Sequence, residues 1–248
     1  MRPRVRGVSV LALAAVLGLG TSAAVAGPSA AADTALSTAM QKLVASSGGP
    51  PMVAVVLDRG AGRTLVYAGT SIVGTVTPPT LTDQMRLASV SKAFSGAVAL
   101  SLVRDRTISL GETVGRWLPS LPPAWSKVTI RQLLNHTSGI PDFTGSKSLG
   151  PAIQAAPLTP PTPAQLLGYV SGEPLLFKPG SRYHYSNSDN IIVGLIAQTA
   201  TGQAYETLLQ DRIFGPFGLV GTSLPRGADL ASPSIHGYTV APGQPPED

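Results

Sequence analysis

The sequence of 248 residues lacks cysteine and is poor in histidine, aromatic residues and charge. Without cysteine the chain forms no disulfide, no Cys-ligated metal site and no lipid-modified cysteine. Its three histidines, His136, His184 and His236, are too scattered for an H-E-x-x-H zinc motif, so we expect no metal and no other cofactor. Charged residues make up 12% and hydrophobic residues 43%, a balance typical of a globular chain rather than a disordered one.

The apolar run at residues 8–20 is too short to remain in a membrane. It follows three arginines within the first six residues and precedes Ala24-Val25-Ala26, the layout of a secretory signal peptide with an A-x-A cleavage site. We therefore expect residues 1–26 to be a signal peptide and residues 27–248 to be the mature domain. The mature protein should be secreted or held in the cell envelope, with no stable membrane anchor.

The formal net charge of +5 comes partly from this N-terminal segment. Removing residues 1–26 takes away three arginines and no acid, and leaves 15 basic against 13 acidic residues with no basic block. A nucleic-acid partner loses its support, because such binding depends on clustered Lys and Arg.

Apolar periodicity and turn residues predict a β-hairpin beside an N-terminal helix, followed by a mostly helical middle. Residues 141–162 are rich in Pro, Gly, Ser and Ala, and are expected to form a lid or a long surface loop. The predicted helices cover residues 33–47, 89–104, 129–134, 162–171, 187–201 and 205–213, and the predicted strands cover 52–57 and 64–68.

Ser89 and Lys92 form an S-x-x-K pair at the start of a predicted helix, one turn apart on the same face. A serine hydroxyl is a weak nucleophile, and an adjacent amine can help to take its proton. Lys92 is the one lysine among five that has a serine three residues before it. This pair alone leaves a second interpretation open, a surface lysine that follows a helix-capping serine.

Four separated segments together resemble the serine β-lactamase and D-Ala-D-Ala carboxypeptidase superfamily, on its class C and carboxypeptidase-like branch. The segments are M-R-L-A-S-V-S-K at 85–92, I-R-Q-L-L-N-H-T-S-G-I at 130–140, F-K-P-G at 177–180 with Y-S-N at 185–187, and I-F-G-P-F-G-L at 213–219. They occur in the family's order. The resemblance implies an α+β fold of the β-lactamase/transpeptidase-like type, with a sheet flanked by helices and a mostly helical subdomain.

By this resemblance Ser89 is the nucleophile, Lys92 its proton partner, Tyr185 the general base or proton shuttle, and Asn187 the amide that binds the substrate. Tyr185 also has a physical argument, because a lysine ammonium nearby favours the phenolate and lowers the pKa of the phenol. Its alternative is a tyrosine of the core. We expect Ser89, Lys92 and Tyr185 to meet in one cleft.

Other motif-like positions have structural interpretations. The S-D-N sequence at 188–190 matches a β-lactamase motif, but it falls inside the predicted helix after Tyr185. His136 should hold a loop by hydrogen bonds. His184 and Tyr183 could line the cleft or lie on an exposed loop.

The family's third motif, Lys/His-Thr/Ser-Gly on an edge strand, is absent, since His236-Gly237-Tyr238 lacks the middle hydroxyl. Because two strands do not form a stable sheet alone, we expect a C-terminally truncated chain whose sheet lacks its terminal strands. We expect residues 27–248 alone to be marginally folded and to label weakly with a fluorescent penicillin, and the full-length parent to label at Ser89.

These features predict a secreted serine hydrolase of the penicillin-recognising type with an acyl-enzyme mechanism. The activity that the resemblance implies first is D-alanyl-D-alanine carboxypeptidase on peptidoglycan stem peptides. A class C-like β-lactamase or an esterase would use the same residues, and a non-catalytic truncated fragment is the alternative outside enzymes. The expected partner is a small-molecule or peptide substrate, and the oligomeric state stays open.

Overall fold

The computed structural model describes residues 30–58, 62–225 and 227–238. The predicted signal peptide and its cleavage site, the hairpin turn at 59–61 and the loop expected at 241–246 lie outside the described residues. Within the described part, no helix is long and apolar enough to cross a membrane.

An N-terminal layer (residues 30–69) joins helix α1, Ala30–Val44, to a hairpin of strands β1, Met52–Asp58, and β2, Arg63–Gly69. The strands pair antiparallel, from Met52 opposite Gly69 to Asp58 opposite Arg63. Both predicted strands are therefore confirmed to within one residue of their ends. In the described part of the chain, these two strands are the whole sheet, as expected from the sequence.

A helical body (residues 88–219) is built around its two longest helices, α2, Lys92–Arg104, and α7, Asn187–Thr201, which pack against each other. Helix α7 repeats apolar residues at three- and four-residue spacing, including Ile192 and Ile196, so one side is fully buried. It ends at Gly202, whose φ of +68° and N–H bond to the Gln198 carbonyl form a left-handed C-cap.

Shorter helices surround this pair. Two of them begin with capping boxes, in which Thr129 pairs with Gln132 and Thr162 with Gln165. They are α3, Val114–Trp117; α4, Ile130–Leu134; α5, Leu149–Ala155; α6, Pro163–Gly168; and α8, Tyr205–Leu209, which continues as a π turn over Gln210–Phe214.

The hydrophobic core is one cluster of buried side chains, and all of its members belong to the helical body. Its largest fully buried side chains are Trp125, Leu102, Ile130, Leu133, Ile140, Leu167, Ile192, Ile196 and Leu208.

The expectation for residues 141–162 is wrong in part, because this stretch contains a 3₁₀ turn at Phe143–Gly145 and helix α5. Proline is tolerated in the first turn of a helix, where its missing N–H has no intrahelical partner, and Pro151 is the third residue of α5. Leu149 anchors the helix by burial. Composition alone therefore overstated the irregularity of the segment.

The last described segment, 227–238, returns to the loop that precedes the helical body. Gln84 donates its N–H to the Pro233 carbonyl at 2.8 Å and accepts from the Ile235 N–H at 2.8 Å, which makes a short parallel bridge. The result is an α+β arrangement in which helices supply the core and the strands form an outer layer.

Candidate active site

Ser89 lies in the 3₁₀ turn Ala88–Ser91 that leads directly into α2. Ala88 has a φ of +45°, in the left-handed region that residues with a Cβ rarely adopt. The Ser91 hydroxyl donates to the Ala88 carbonyl at 2.6 Å and helps to hold this turn. A residue other than glycine in this region typically carries about 1–3 kcal/mol of backbone strain, and such residues cluster at functional sites. Here the strained residue directly precedes the exposed Ser89.

The side chains of Ser89, Lys92 and Tyr185 converge on one point. Ser89 Oγ lies 2.8 Å from Tyr185 Oη, and Lys92 Nζ donates to Ser89 Oγ at 3.3 Å. The helical spacing of Ser89 and Lys92 brings the hydroxyl and the amine together, and Tyr185 reaches them from the loop before α7. This geometry places a serine hydroxyl within hydrogen-bond reach of a phenol that can take its proton when ionised, and of an ammonium that stabilises the phenolate.

Tyr185 is held between a cation and a second ring. Lys92 Nζ lies 4.9 Å from the centroid of the Tyr185 ring, and the His136 ring centroid lies 4.7 Å from it. The Lys92 ammonium is the main cause that lowers the pKa of Tyr185 below its ordinary value of 10.0, and the Ser89 hydroxyl is the second. A lowered pKa increases the fraction of phenolate near neutral pH, which is the form that accepts a proton.

Asn187, the first residue of α7, connects the cluster to a carboxylate. Its Oδ1 accepts from Lys92 Nζ at 2.7 Å and from Tyr185 Oη at 3.3 Å. Its Nδ2 donates to Asp142, at 2.9 Å from Oδ2 and 3.3 Å from Oδ1. The amide therefore has its oxygen towards the amine and its nitrogen towards the carboxylate.

The buried carboxyl group of Asp189 contacts two residues of the turn at 136–139. Asp189 is fully buried, accepts from the Ser138 hydroxyl at 2.6 Å, and lies 3.2 Å from His136 Nδ1. Burial raises the pKa of the Asp189 carboxyl, and its contacts with His136 and Ser138 oppose that shift. His136 holds a loop by hydrogen bonds, as expected, and its ring also packs on Tyr185.

The turn at 136–139 is joined to the loop at 176–184 by three backbone hydrogen bonds, which we call the clamp. The bonded pairs, donor first, are Leu176 to Gly139 at 2.8 Å, Gly180 to Thr137 at 2.7 Å, and His184 to His136 at 2.8 Å. Gly139 has a φ of +77°, and a Cβ there would lie 2.5 Å from the Phe177 carbonyl oxygen. Only glycine permits this close approach. The clamp thus fixes the loop that leads to Tyr185.

The structure brings together all four residues that the sequence predicts, Ser89, Lys92, Tyr185 and Asn187. The S-D-N sequence at 188–190 lies inside α7 and outside the cluster, as expected. Tyr183 and His184 are exposed loop residues, although the Tyr183 ring meets the edge of the His136 ring.

Sequence reasoning missed Asp142. It is one of 13 acidic residues and lies in the stretch expected to form a lid or a long surface loop, so composition does not distinguish it. Its position two residues after the H-T-S-G-I segment was the available signal.

The described residues contain no group of three His, Asp or Glu side chains that could hold a metal ion. The cluster itself offers a hydroxyl, an amine, a phenol and an amide.

Comparisons with known proteins find a family model, a curated relative and solved structures that match this chain. A family model described as Beta-lactamase matches residues 36–248. Penicillin-binding protein 4* of Bacillus subtilis is 33% identical over 138 residues, which cover 54% of this chain and 29% of that protein. The chain thus spans less than a third of the length of this curated relative.

Two solved structures are similar in fold. A D-stereospecific amidohydrolase from a Streptomyces species superposes with a TM-score of 0.73 at 27% identity, covering 85% of this chain and 64% of that one. The D-amino acid amidase of Ochrobactrum anthropi, in complex with L-phenylalanine amide, gives a TM-score of 0.66 at 26% identity, covering 83% of this chain and 56% of that one.

Proposed function

The chain belongs to the Beta-lactamase family and has the β-lactamase/transpeptidase-like fold, and from this premise we propose that it is a serine hydrolase of the penicillin-recognising type. The observation that carries the proposal is the cluster itself, in which Ser89 Oγ lies within 2.8 Å of Tyr185 Oη and 3.3 Å of Lys92 Nζ. A nucleophile and its base at hydrogen-bond distance are the minimum requirement for acyl transfer.

In the proposed reaction, Ser89 Oγ attacks the carbonyl carbon of the substrate while its proton passes to the Tyr185 phenolate. Lys92 stabilises that phenolate and orients both hydroxyl groups through its hydrogen bonds. Tyr185 then delivers the proton to the leaving nitrogen, the carbon–nitrogen bond breaks, and an ester to Ser89 remains. Water activated by Tyr185 and Lys92 hydrolyses the ester and restores the free serine.

The oxyanion that forms on the carbonyl requires hydrogen-bond donors, and each one is worth about 10²–10³ in rate. The backbone N–H of Ser89 is one candidate, because it lies beside the attacking oxygen. Asn187 is proposed to bind the amide of the substrate through its remaining N–H.

For the substrate we propose an amide bond next to a D-amino acid, with the terminal D-alanyl-D-alanine bond of a peptidoglycan stem peptide as the first candidate. The similarity to a penicillin-binding protein supports this choice. The D-stereospecific amidohydrolase and the D-amino acid amidase favour a second candidate, the amide of a free D-amino acid. A class C-like β-lactamase or an esterase would use the same cluster.

We also propose that the protein acts outside the cytoplasm, on the strength of the signal-peptide pattern in residues 1–26. N-terminal sequencing of the exported protein should begin at Gly27. An intact Met1 would contradict export by this route.

The experiment that tests the activity uses the full-length protein and intact-mass measurement after reaction with a fluorescent penicillin and with a p-nitrophenyl ester. We expect one acyl group per molecule, and none in Ser89→Ala. The matched control is Ser91→Ala, which removes a hydroxyl from the same turn and should still be acylated. An adduct that survives in Ser89→Ala would reject Ser89 as the nucleophile, and no adduct in the unmodified protein would favour a non-catalytic chain.

Substrate choice is tested with the same preparation. Release of D-alanine from a D-alanyl-D-alanine peptide and of ammonia from a D-amino acid amide separates the first two candidates. A rapidly hydrolysed penicilloyl adduct would instead identify a β-lactamase, and a long-lived one is expected for a carboxypeptidase.

The pH dependence gives a further check on Tyr185. A base acts only when deprotonated, so the acylation rate should rise as pH increases through the lowered pKa of Tyr185. Lys92→Met removes the main cause of that lowering, and the rising limb should move to higher pH. A limb that stays in place would exclude Tyr185 as the titrating base.

A further inference from the structure

We propose that Asp142 is a positioning residue, whose carboxylate fixes the side-chain amide of Asn187 so that the amide oxygen faces Lys92 and Tyr185. The inference rests on the proposed function, because it assigns a task within the same site. It adds a carboxylate to the cluster of hydroxyl, amine, phenol and amide groups.

The hydrogen bonds allow Asn187 only one orientation. A carboxylate is an acceptor only, so the two contacts with Asp142, at 2.9 and 3.3 Å, must come from the NH₂ end of the amide. An ammonium is a donor only, so the 2.7 Å contact with Lys92 must go to the oxygen end. A flipped amide would set donor against donor at Lys92 and acceptor against acceptor at Asp142.

Asp142 is itself held rigidly by its neighbours. Its Oδ1 accepts the Thr144 N–H at 3.1 Å and caps the 3₁₀ turn Phe143–Gly145. The buried hydroxyl of Ser188 donates to the Pro141 carbonyl at 2.6 Å and accepts the Phe143 N–H at 3.1 Å. Helix α7 therefore supplies Asn187 and also fixes the backbone on both sides of the residue that orients it.

The carboxylate also acts on Tyr185 through its charge. Among the described residues, the titratable groups around the phenol are Lys92 from α2, His136 from the turn after α4 and Asp142 from the loop that follows. Asp142 raises the pKa of Tyr185, in opposition to the larger lowering by Lys92. Neutralising Asp142 should therefore move the rising limb of the acylation rate to lower pH.

Two variants separate positioning from helix capping. Asp142→Ser keeps an N-cap hydroxyl but is too short to reach Asn187. Asp142→Asn keeps the shape and one acceptor oxygen, which can still cap the turn and accept from Asn187, but it loses the charge and the second acceptor. We expect Asp142→Ser to lower the rate of Ser89 acylation by the p-nitrophenyl ester by roughly 10- to 100-fold, with its melting temperature nearly unchanged. Asp142→Asn should lower the acylation rate less, and the rising limb of its pH profile should move to lower pH.

A double-mutant cycle with Asn187→Ala gives the sharpest test. The cycle is measured at a pH above the rising limb, where the charge of Asp142 no longer changes the fraction of phenolate. If Asp142 acts through Asn187, the double variant Asp142→Ser/Asn187→Ala should there be acylated as slowly as Asn187→Ala alone, within about two-fold. Multiplying effects, or wild-type acylation in Asp142→Ser, would overturn the proposal.

Failure of the proposed function is read separately, from adduct formation in Ser89→Ala. For a protein that shows no acylation at all, the side-chain NH₂ resonances of Asn187 remain a readout. They should shift in Asp142→Ser, and unchanged resonances would overturn the positioning role independently of activity.

Discussion

The helical body and the N-terminal layer differ in how much of their apolar surface is covered. All 20 members of the core cluster lie between residues 98 and 214. In the described part of the N-terminal layer, the buried apolar side chains are Met40 and Ala68, while Val56 and Tyr67 remain 52% and 41% exposed. Ser89, Lys92, Tyr185, Asn187 and Asp142 all belong to the helical body. The site is thus supported by the part of the molecule that has its own core.

The largest difference is expected from the same substitution in each region. Leu102→Ala creates a cavity in the body, where Leu102 is fully buried, and should cost about 2–5 kcal/mol of unfolding free energy. Leu57→Ala, in partly exposed β1, should cost at most about 1 kcal/mol. Denaturant unfolding followed by circular dichroism measures both. Equal costs would remove the distinction between the two regions.

A smaller effect on the unfolding free energy is expected from Asp189, the buried carboxyl group of the helical body. Because burial raises the pKa of Asp189, the folded state binds more protons than the unfolded state above pH 3.8. The unfolding free energy therefore falls as pH rises through that window, by about 1.4 kcal/mol for each unit by which the pKa is raised. Asp189→Asn should lose this fall, and so gain stability relative to the wild type as pH increases. Melting curves from pH 3.5 to 7 test the sign, and a constant difference would contradict it.

Most elements could be predicted because their signals are local. The hairpin alternates β-branched residues around a glycine turn, and helix α7 combines apolar spacing with a terminal Gly202. Helix α5 was missed because its Gly150 and Pro151 are typical of loops, and the first turn of a helix tolerates both.

The site was predictable only as far as its motifs extend. Ser89 and Lys92 are neighbours through helical spacing, and Tyr185 and Asn187 follow from the family resemblance. The contact between Asp142 and Asn187 joins residues 45 positions apart. It depends on how the loop after α4 packs against α7, which no local pattern encodes.

A still smaller effect should come from the strained turn before Ser89. Ala88→Gly removes the conflict between a Cβ and a φ of +45°, and should stabilise the protein by about 0.5–1 kcal/mol. Ala93→Gly is the matched control, since the same change in exposed α2 should destabilise by about 1 kcal/mol. Opposite signs in thermal unfolding would locate the strain at Ala88. A loss of stability in both would show that the turn is not strained.

The smallest effects are expected from surface ion pairs. Arg63 and Asp58 meet at 3.5 Å with both side chains largely exposed, so Arg63→Ala should change stability by less than about 0.5 kcal/mol. In the body, Arg212 lies 2.6 Å from Asp105 and also donates to Ser101 at 3.2 Å, so Arg212→Ala should cost more.

The second ion pair also has a pH signature. Arg212 is the main cause that lowers the pKa of Asp105, so its contribution is present above pH 3.8 and disappears as pH falls below that value. The stability gap between wild type and Arg212→Ala should close on acidification. A gap that stays constant would show that the pair acts by packing alone.

The clamp holds the turn at 136–139 and the loop at 176–184 together by backbone hydrogen bonds. The position of Tyr185 therefore depends little on the length of the chain between these two segments. The backbone bonds fix both ends of an excursion that includes α5 and α6. Exposed residues at 150–160 can therefore be exchanged without moving Tyr185 relative to Ser89, as long as Asp142 and the buried Leu149 and Leu167 keep their places. Such an arrangement lets evolution, or a protein engineer, vary this surface segment while the cluster stays in place.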